Sequence, residues 1–145
     1  MKRDHARMQG LTTEVVSLVD SGQITALVPV DCSKKHWLLP FPKHFALKAE
    51  PQGIYIGWDS NGVQIQNEKE FAASRVFVTH RSARKMTEEI AGRLVHNLLK
   101  PPKYDGVNSN CETVVSYILN GQAKSDQVSV VGLFALICLF FLAAT

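Results

Sequence analysis

The chain between residues 24 and 79 carries short apolar runs that predict a series of β-strands. Turn-forming residues separate several of these runs, and the Asn61-Gly62 pair is typical of a hairpin. Strands joined by tight turns pair antiparallel, so the pattern predicts an antiparallel meander. The predicted strands cover residues 24–30, 44–49, 54–58, 63–66 and 75–79.

Two helices are predicted after the strands. The first covers residues 83–99, where apolar side chains recur at helical spacing until Pro101 and Pro102 stop the pattern. The second follows the loop 103–109 and has Gly121 as its C-terminal cap. Strands followed by helices give an α+β fold class. The apolar positions of the two helices are Met86, Ile90, Leu94, Val95, Leu98, Val114, Val115, Ile118 and Leu119.

The pattern divides the chain into three parts. Residues 1–23 are polar, with one helical candidate at 14–19 and without the apolar core of a signal peptide, so we expect an N-terminal extension. Residues 24–127 form the single globular domain that this length allows. Residues 128–145 are uncharged and apolar on all sides, which predicts a short membrane anchor. We expect this single-pass anchor to hold the domain on the cytoplasmic face of an intracellular membrane.

Charge and cysteine usage narrow the function classes. The 16 Lys and Arg residues against 13 Asp and Glu give a formal net charge of +3, too mild for a nucleic-acid-binding face. The basic run 80–85 is typical of a solvated surface or of one that meets an anionic membrane. Cys32, Cys111 and Cys138 are odd in number and widely spaced, so free thiols in a reducing compartment are expected.

Cys111 is the strongest candidate for a catalytic residue. It falls at or next to the N-cap of the second predicted helix, where unpaired N–H groups and the helix dipole favour a thiolate. The same N–H groups can stabilise an oxyanion on an attacked carbonyl, and a histidine base would complete a thiol–imidazole pair. The alternative is an ordinary buried cysteine, which is the commonest fate of a free thiol.

The residues around Cys111 resemble a known family. Tyr104 precedes the Asn110-Cys111-Glu112 step, and the segment 121–128 has the form Gly-x-Ala-Lys-Ser-Asp-Gln-Val. This arrangement is similar to the lecithin:retinol acyltransferase family, especially its HRAS-like suppressor branch of phospholipase A/acyltransferases. Picornaviral H-box/NC proteins share the wider resemblance. The match extends from about residue 25 to the end and is specific from Tyr104 to Val128.

The resemblance implies a circularly permuted papain-like fold and a mechanism without metal or cofactor. In that family the cysteine attacks a phospholipid acyl ester and forms a thioester, and water, an amine or a hydroxyl then takes the acyl group. A first histidine acts as the base, and a second histidine about a dozen residues later orients it. The implied partners are a phospholipid membrane and an acyl-lipid substrate.

The histidine pair of the family does not map onto this chain in a single way. In one register His36, before Trp37, is the first histidine and His44 a closely spaced second one. In another, His44 is the base and Tyr55 or Asp59 orients it. The candidate catalytic residues are therefore Cys111, His44 and His36.

A third register aligns residues 54–57, Ile-Tyr-Ile-Gly, with the Tyr-x-Gly step of the family. It puts Pro51 at the position of the first histidine and Gln64 at that of the second, which leaves the thiol without a base. Thr113-Val114 also replaces the usual His-Phe pair after Asn-Cys-Glu.

Two functions from different classes follow from these registers. The first is a membrane-anchored, thiol-dependent phospholipase A or acyltransferase acting on glycerophospholipid acyl esters. The second is a non-catalytic interaction protein that keeps the fold and the anchor, such as a viral replication factor.

Overall fold

The computed structural model describes residues 2–34, 44–105 and 110–125. His36 and the predicted anchor at 128–145 lie outside the described residues. The strands are β1 (Ala26–Lys34), β2 (His44–Glu50), β3 (Ile54–Asp59), β4 (Gly62–Gln66), β5 (Arg75–His80) and β6 (Arg84–Lys85). The helices are α1 (Lys2–Asp20), α2 (Glu68–Ser74), α3 (Glu88–Leu99) and α4 (Cys111–Asn120).

One antiparallel sheet contains all six strands, so the α+β fold class is confirmed. The order is β4-β3-β2-β1-β5, and β6 also pairs with β1. Strands β1 to β4 form the predicted meander, but β5 returns across the sheet to pair with β1 instead of β4. Since β2 occupies one edge of β1, β5 and β6 share the other edge.

The main hydrophobic core lies between one face of the sheet and helices α1, α3 and α4. On β2, alternation directs Phe45 and Leu47 into this core, where Leu94 of α3 and Ile118 of α4 are fully buried. The opposite face carries a smaller cluster covered by α2, whose Phe71 stacks on Tyr55 with ring centroids 4.1 Å apart. β2 is therefore buried on both faces.

Helix α1 occupies most of the segment 1–23, for which the sequence predicted a polar N-terminal extension. The helical candidate at 14–19 is part of the longer helix Lys2–Asp20, and Val15 and Val19 belong to the main core. Their relative exposures are 1% and 6%. Met8, Leu11, Val16 and Leu18 pack against the same core, while the polar residues between them obscure this apolar stripe in the sequence.

Local capping explains the other differences from the predicted elements. Asn67 and Glu70 form a reciprocal capping box that starts α2, a helix absent from our prediction. Helix α3 begins later than predicted because Thr87 caps it, with the Ile90 N–H donating to its Oγ1 at 3.3 Å. The residues before this cap, Arg84 and Lys85, pair with β1.

Val15→Ala tests whether α1 is an integral part of the fold. Two buried carbon atoms are lost and a cavity remains, so the free energy of unfolding should fall by roughly 1.5–3 kcal/mol in urea denaturation. Val78→Ala is the matched control, because Val78 is 37% exposed; it should cost less than about 1 kcal/mol. Equal effects of the two variants would mean that α1 is not docked.

A candidate thiol site at the start of helix α4

Helix α4 begins at Cys111, as the sequence predicted, because Asn110 is its N-cap. The side-chain oxygen of Asn110 accepts the Thr113 N–H at 2.9 Å and the Thr113 hydroxyl at 3.0 Å. At the other end Gly121 is left-handed, with φ of 72°, and its N–H donates to the Tyr117 carbonyl at 2.8 Å. The helix ends fix Cys111 in the first turn, at the positive end of the dipole.

The Cys111 sulfur is buried and faces backbone donors. The residue is 4% exposed, and the Phe45 N–H donates to its Sγ at 3.4 Å. Burial raises the pKa of the Cys111 thiol, while hydrogen bonds from the backbone N–H groups of Phe45, Glu112 and Cys111 itself act to lower it. Burial outweighs these donors, so the resting thiol is neutral.

A second thiol contacts the same peptide unit. The Cys32 Sγ–H on β1 donates to the His44 carbonyl at 3.5 Å, and the next N–H along the chain is the one that Cys111 accepts. The two thiols therefore bind opposite ends of the peptide between His44 and Phe45. Burial raises the pKa of the Cys32 thiol to about 11, although the Arg75 guanidinium acts to lower it.

The Cys111 sulfur takes the place of a strand partner for Phe45. Because the His44 carbonyl points toward β1, the Phe45 N–H points to the β3 side of β2. The pairing of β2 with β3 runs from Ala46 to Ala49 and stops before Phe45. The sulfur thus satisfies a buried N–H that the sheet leaves unpaired.

His44 lies next to this thiol along the chain, but its ring is on the other side of the sheet. It is the first residue of β2 and is 8% exposed. A Cβ added to Gly57 would lie 3.4 Å from the His44 Nε2 and 3.9 Å from the Cβ of Ala46, so the imidazole shares the Ala46 face. Phe45 and Cys111 belong to the main core on the opposite face.

The proposed orienting residues have other partners. The Tyr55 hydroxyl lies 3.1 Å from the His80 Nε2, and Asp59 accepts the Asn61 N–H at 2.8 Å in the turn after β3. Pro51 follows β2 at the end remote from Cys111, and Gln64 lies on β4 with its amide 3.5 Å from Asp59. Of the two candidate histidines, His44 lies within the described residues. The peptide that follows it contacts the Cys111 sulfur.

The segment after α4 returns to the start of the helix, a contact that sequence reasoning missed. The Ser125 hydroxyl donates to the Glu112 carboxylate. The Asn110 side-chain amide in turn donates to the Ser125 hydroxyl at 3.4 Å. These bonds tie the Gly-x-Ala-Lys-Ser segment to the residues on either side of Cys111. The resemblance had already singled out both segments, but it gave no reason for them to touch.

An amphipathic groove of about 490 Å³ runs along α4, and the buried Cys111 side chain does not line it. Phe45 and Glu112, which flank the Cys111 sulfur, line one part of it. The Arg81 guanidinium lies 5.5 Å from the centroid of the Phe45 ring and donates to the buried Asp31 carboxylate at 2.7 Å. The remaining principal lining residues are apolar Val115 and Leu119 and basic Arg84 and Lys124.

The described residues contain neither a metal-binding cluster nor a membrane-spanning helix. No group of three or more His, Cys, Asp or Glu residues there is placed to hold a metal ion. No helix in the same part of the chain is long and apolar enough to cross a bilayer.

Comparison with known proteins found no relative of this chain. No family model matches it, and neither the curated proteins nor the solved structures contain a match.

Asn110→Ala should weaken the start of α4. The substitution removes the cap of the Thr113 N–H and the contact with Ser125, so the free energy of unfolding should fall by about 1–2 kcal/mol in urea denaturation. Asn110→Ser is the control, because serine also caps helices and should restore most of this loss. If serine is as harmful as alanine, the cap is not what Asn110 contributes.

The buried Cys32 thiol predicts a loss of stability in alkaline solution. Its folded pKa is raised from 9.0 to about 11, so its contribution is complete below about pH 9 and declines as the pH rises toward 11. The difference in unfolding free energy between the protein and its Cys32→Ala variant should therefore shrink across that window. Urea titrations at a series of pH values measure it, and a constant difference would contradict the prediction.

Proposed function

We propose that this protein is a thiol-dependent acyl-transfer enzyme of the lecithin:retinol acyltransferase type, acting on acyl esters of glycerophospholipids. Cys111 is the nucleophile and His44 the base. One observation carries the proposal: the Cys111 sulfur lies in the first turn of α4 and accepts the Phe45 N–H at 3.4 Å, so it contacts the peptide that joins His44 to Phe45.

The chemical step uses these groups in order. The sulfur attacks the ester carbonyl carbon, and the carbonyl π electrons move to the oxygen, which backbone N–H groups stabilise. The thiol proton passes to His44 and then to the departing alcohol oxygen as the C–O bond breaks, leaving a thioester on Cys111. Water, an amine or a hydroxyl then takes the acyl group and releases the thiol.

The His44 imidazole must move to the Cys111 side of the sheet before it can accept the proton. The ring rests on the Gly57 side of the sheet, whereas the sulfur is on the Phe45 side. Because the His44 Cβ points to the Ala46 face, side-chain rotation alone cannot bring the ring to the sulfur. The proposed reaction therefore requires a backbone change at the start of β2, where His44 pairs with Cys32. Catalytic contacts commonly tighten only when substrate binds.

The groove along α4 supports a phospholipid substrate. Phe45, Val115 and Leu119 offer apolar contact for an acyl chain, and Arg84 and Lys124 offer positive charge for a phosphate group. The membrane anchor expected at 128–145 would hold the groove near its substrate. We keep the anchor and its cytoplasmic-face location as part of the proposal.

A non-catalytic interaction protein is the second candidate function. The Cys111 thiol is buried, its pKa is raised, and its sulfur completes the hydrogen bonding of Phe45. A cysteine that serves only as this acceptor needs no base. Under this alternative His44 has no catalytic role, and its imidazole stays on the opposite side of the sheet from the sulfur.

Activity variants separate the two candidates. Cys111→Ala should abolish acyl release from phosphatidylcholine and the thioester adduct that mass spectrometry detects after incubation with the lipid. His44→Gln should lower the rate roughly 10²–10⁴-fold, the range for loss of a general base. His96→Gln is the control, because His96 is exposed on α3 and should leave the rate unchanged.

The opposite pattern would support the interaction protein. Cys111→Ala would then reduce the unfolding free energy, since the Phe45 N–H loses its acceptor, while acyl release would be absent from the unsubstituted protein as well. Acyl release that survives Cys111→Ala would refute the proposed nucleophile.

A further inference from the structure

The outer strand of the sheet contains a bulge that turns two apolar side chains outward. Along the pairing of β1 with β5, Asp31 lies opposite Thr79 and Ser33 lies opposite Val76. Phe77 and Val78 together therefore face the single residue between Asp31 and Ser33. A bulge of this kind bends a strand and redirects its side chains.

Phe77 is both strained and exposed. Its φ of 51° places it in the left-handed region, which glycine normally occupies at a bulge. The residue is nevertheless 76% exposed, so contacts within the described fold do not compensate the strain. Strain held by an exposed aromatic residue indicates a use outside the folded domain.

Positive charge continues from this bulge along the same edge of the sheet. All nine residues from Phe77 to Lys85 are exposed, and none of them is acidic. The segment contains Arg81, Arg84 and Lys85, of which Arg81 already pairs with Asp31 at 2.7 Å. Since β5 and β6 follow the same side of β1, the apolar pair and the cations form one edge, which we call the 77–85 edge.

We propose that the 77–85 edge docks onto an anionic phospholipid surface. Phe77 and Val78 enter the interfacial layer while Arg84 and Lys85 contact the headgroups. The combination of an exposed aromatic wedge with adjacent cations and no acidic residue fits a negatively charged interface. The inference refines the membrane partner of the proposed function, but it requires no reaction at Cys111.

Protection of an exposed sheet edge is the alternative use of these features. Bulges and basic residues on an outer strand prevent pairing with other chains. That role explains the bulge, Arg84 and Lys85, but it would be served better by glycine at position 77. An exposed phenylalanine there works against edge protection.

Tryptophan fluorescence in the full-length protein tests the docking directly. The protein already contains Trp37 and Trp58, so quenching is measured as the increase over the unsubstituted protein. For Phe77→Trp this increase should be large with phosphatidylcholine brominated in its acyl chains when the vesicles also contain phosphatidylserine, and much smaller without it. The quenching should weaken at high salt, which screens the headgroup charge. Leu99→Trp is the matched control, because Leu99 is 60% exposed and lies at the end of α3, away from this edge; it should remain unquenched.

Two further variants separate the apolar and charged contributions. Lys85→Gln should weaken the phosphatidylserine-dependent quenching of Phe77→Trp about fivefold in apparent affinity. Phe77→Gly should raise the midpoint of urea unfolding by relieving the strain, and it should also lower vesicle binding. A more stable protein that binds less well would show that the phenylalanine is kept for docking.

Three results would overturn the proposal. They are an unquenched Phe77→Trp, equal quenching of Leu99→Trp, and quenching that does not depend on phosphatidylserine. Each outcome is independent of acyl release, because a Cys111→Ala background removes the proposed chemistry and leaves the 77–85 edge intact. Failure of the enzymatic proposal therefore does not change the result of this test.

Discussion

The peptide between His44 and Phe45 is the contact on which the arrangement of the site depends. Its carbonyl accepts the Cys32 thiol from β1, and its N–H donates to the Cys111 sulfur at the start of α4. An unpaired N–H in this buried position would cost on the order of 1–3 kcal/mol. This junction links β1, β2 and the start of α4, while Val114, Val115 and Ile118 pack the rest of the helix into the main core.

The same junction sets opposite demands on the Cys111 thiol. Burial against the sheet raises its pKa and keeps it neutral, whereas the converging N–H groups favour the thiolate. A cysteine that only accepts a hydrogen bond can remain a neutral thiol, whereas a nucleophilic cysteine must be able to form the thiolate. In the proposed reaction, the N–H donors near the sulfur would stabilise the oxyanion that forms on the attacked ester.

Local sequence signals predicted the elements of this fold better than their assembly. The Asn61-Gly62 turn and the Gly121 cap depend on residues close in sequence, and both are found where they were expected. The capping box at Asn67 was an available signal that we did not use. Other features depend on contacts between residues far apart in sequence, which the local hydrophobic pattern does not specify. They are the docking of Val15, the pairing of β5 with β1 and the burial of Cys111.

Cys32 joins the thiol site to the edge of the sheet. Its sulfur binds the His44 carbonyl on one side of β1, and on the other side it faces the bulge formed by Phe77 and Val78. Continuity of this kind transmits a change only if the connecting element has two arrangements. The structure shows one arrangement of the bulge, which holds a left-handed phenylalanine whose strain a change of backbone conformation would release. The proposed docking edge and the thiol site thus share β1 at Cys32, which lies opposite the bulge and contacts the peptide that binds Cys111.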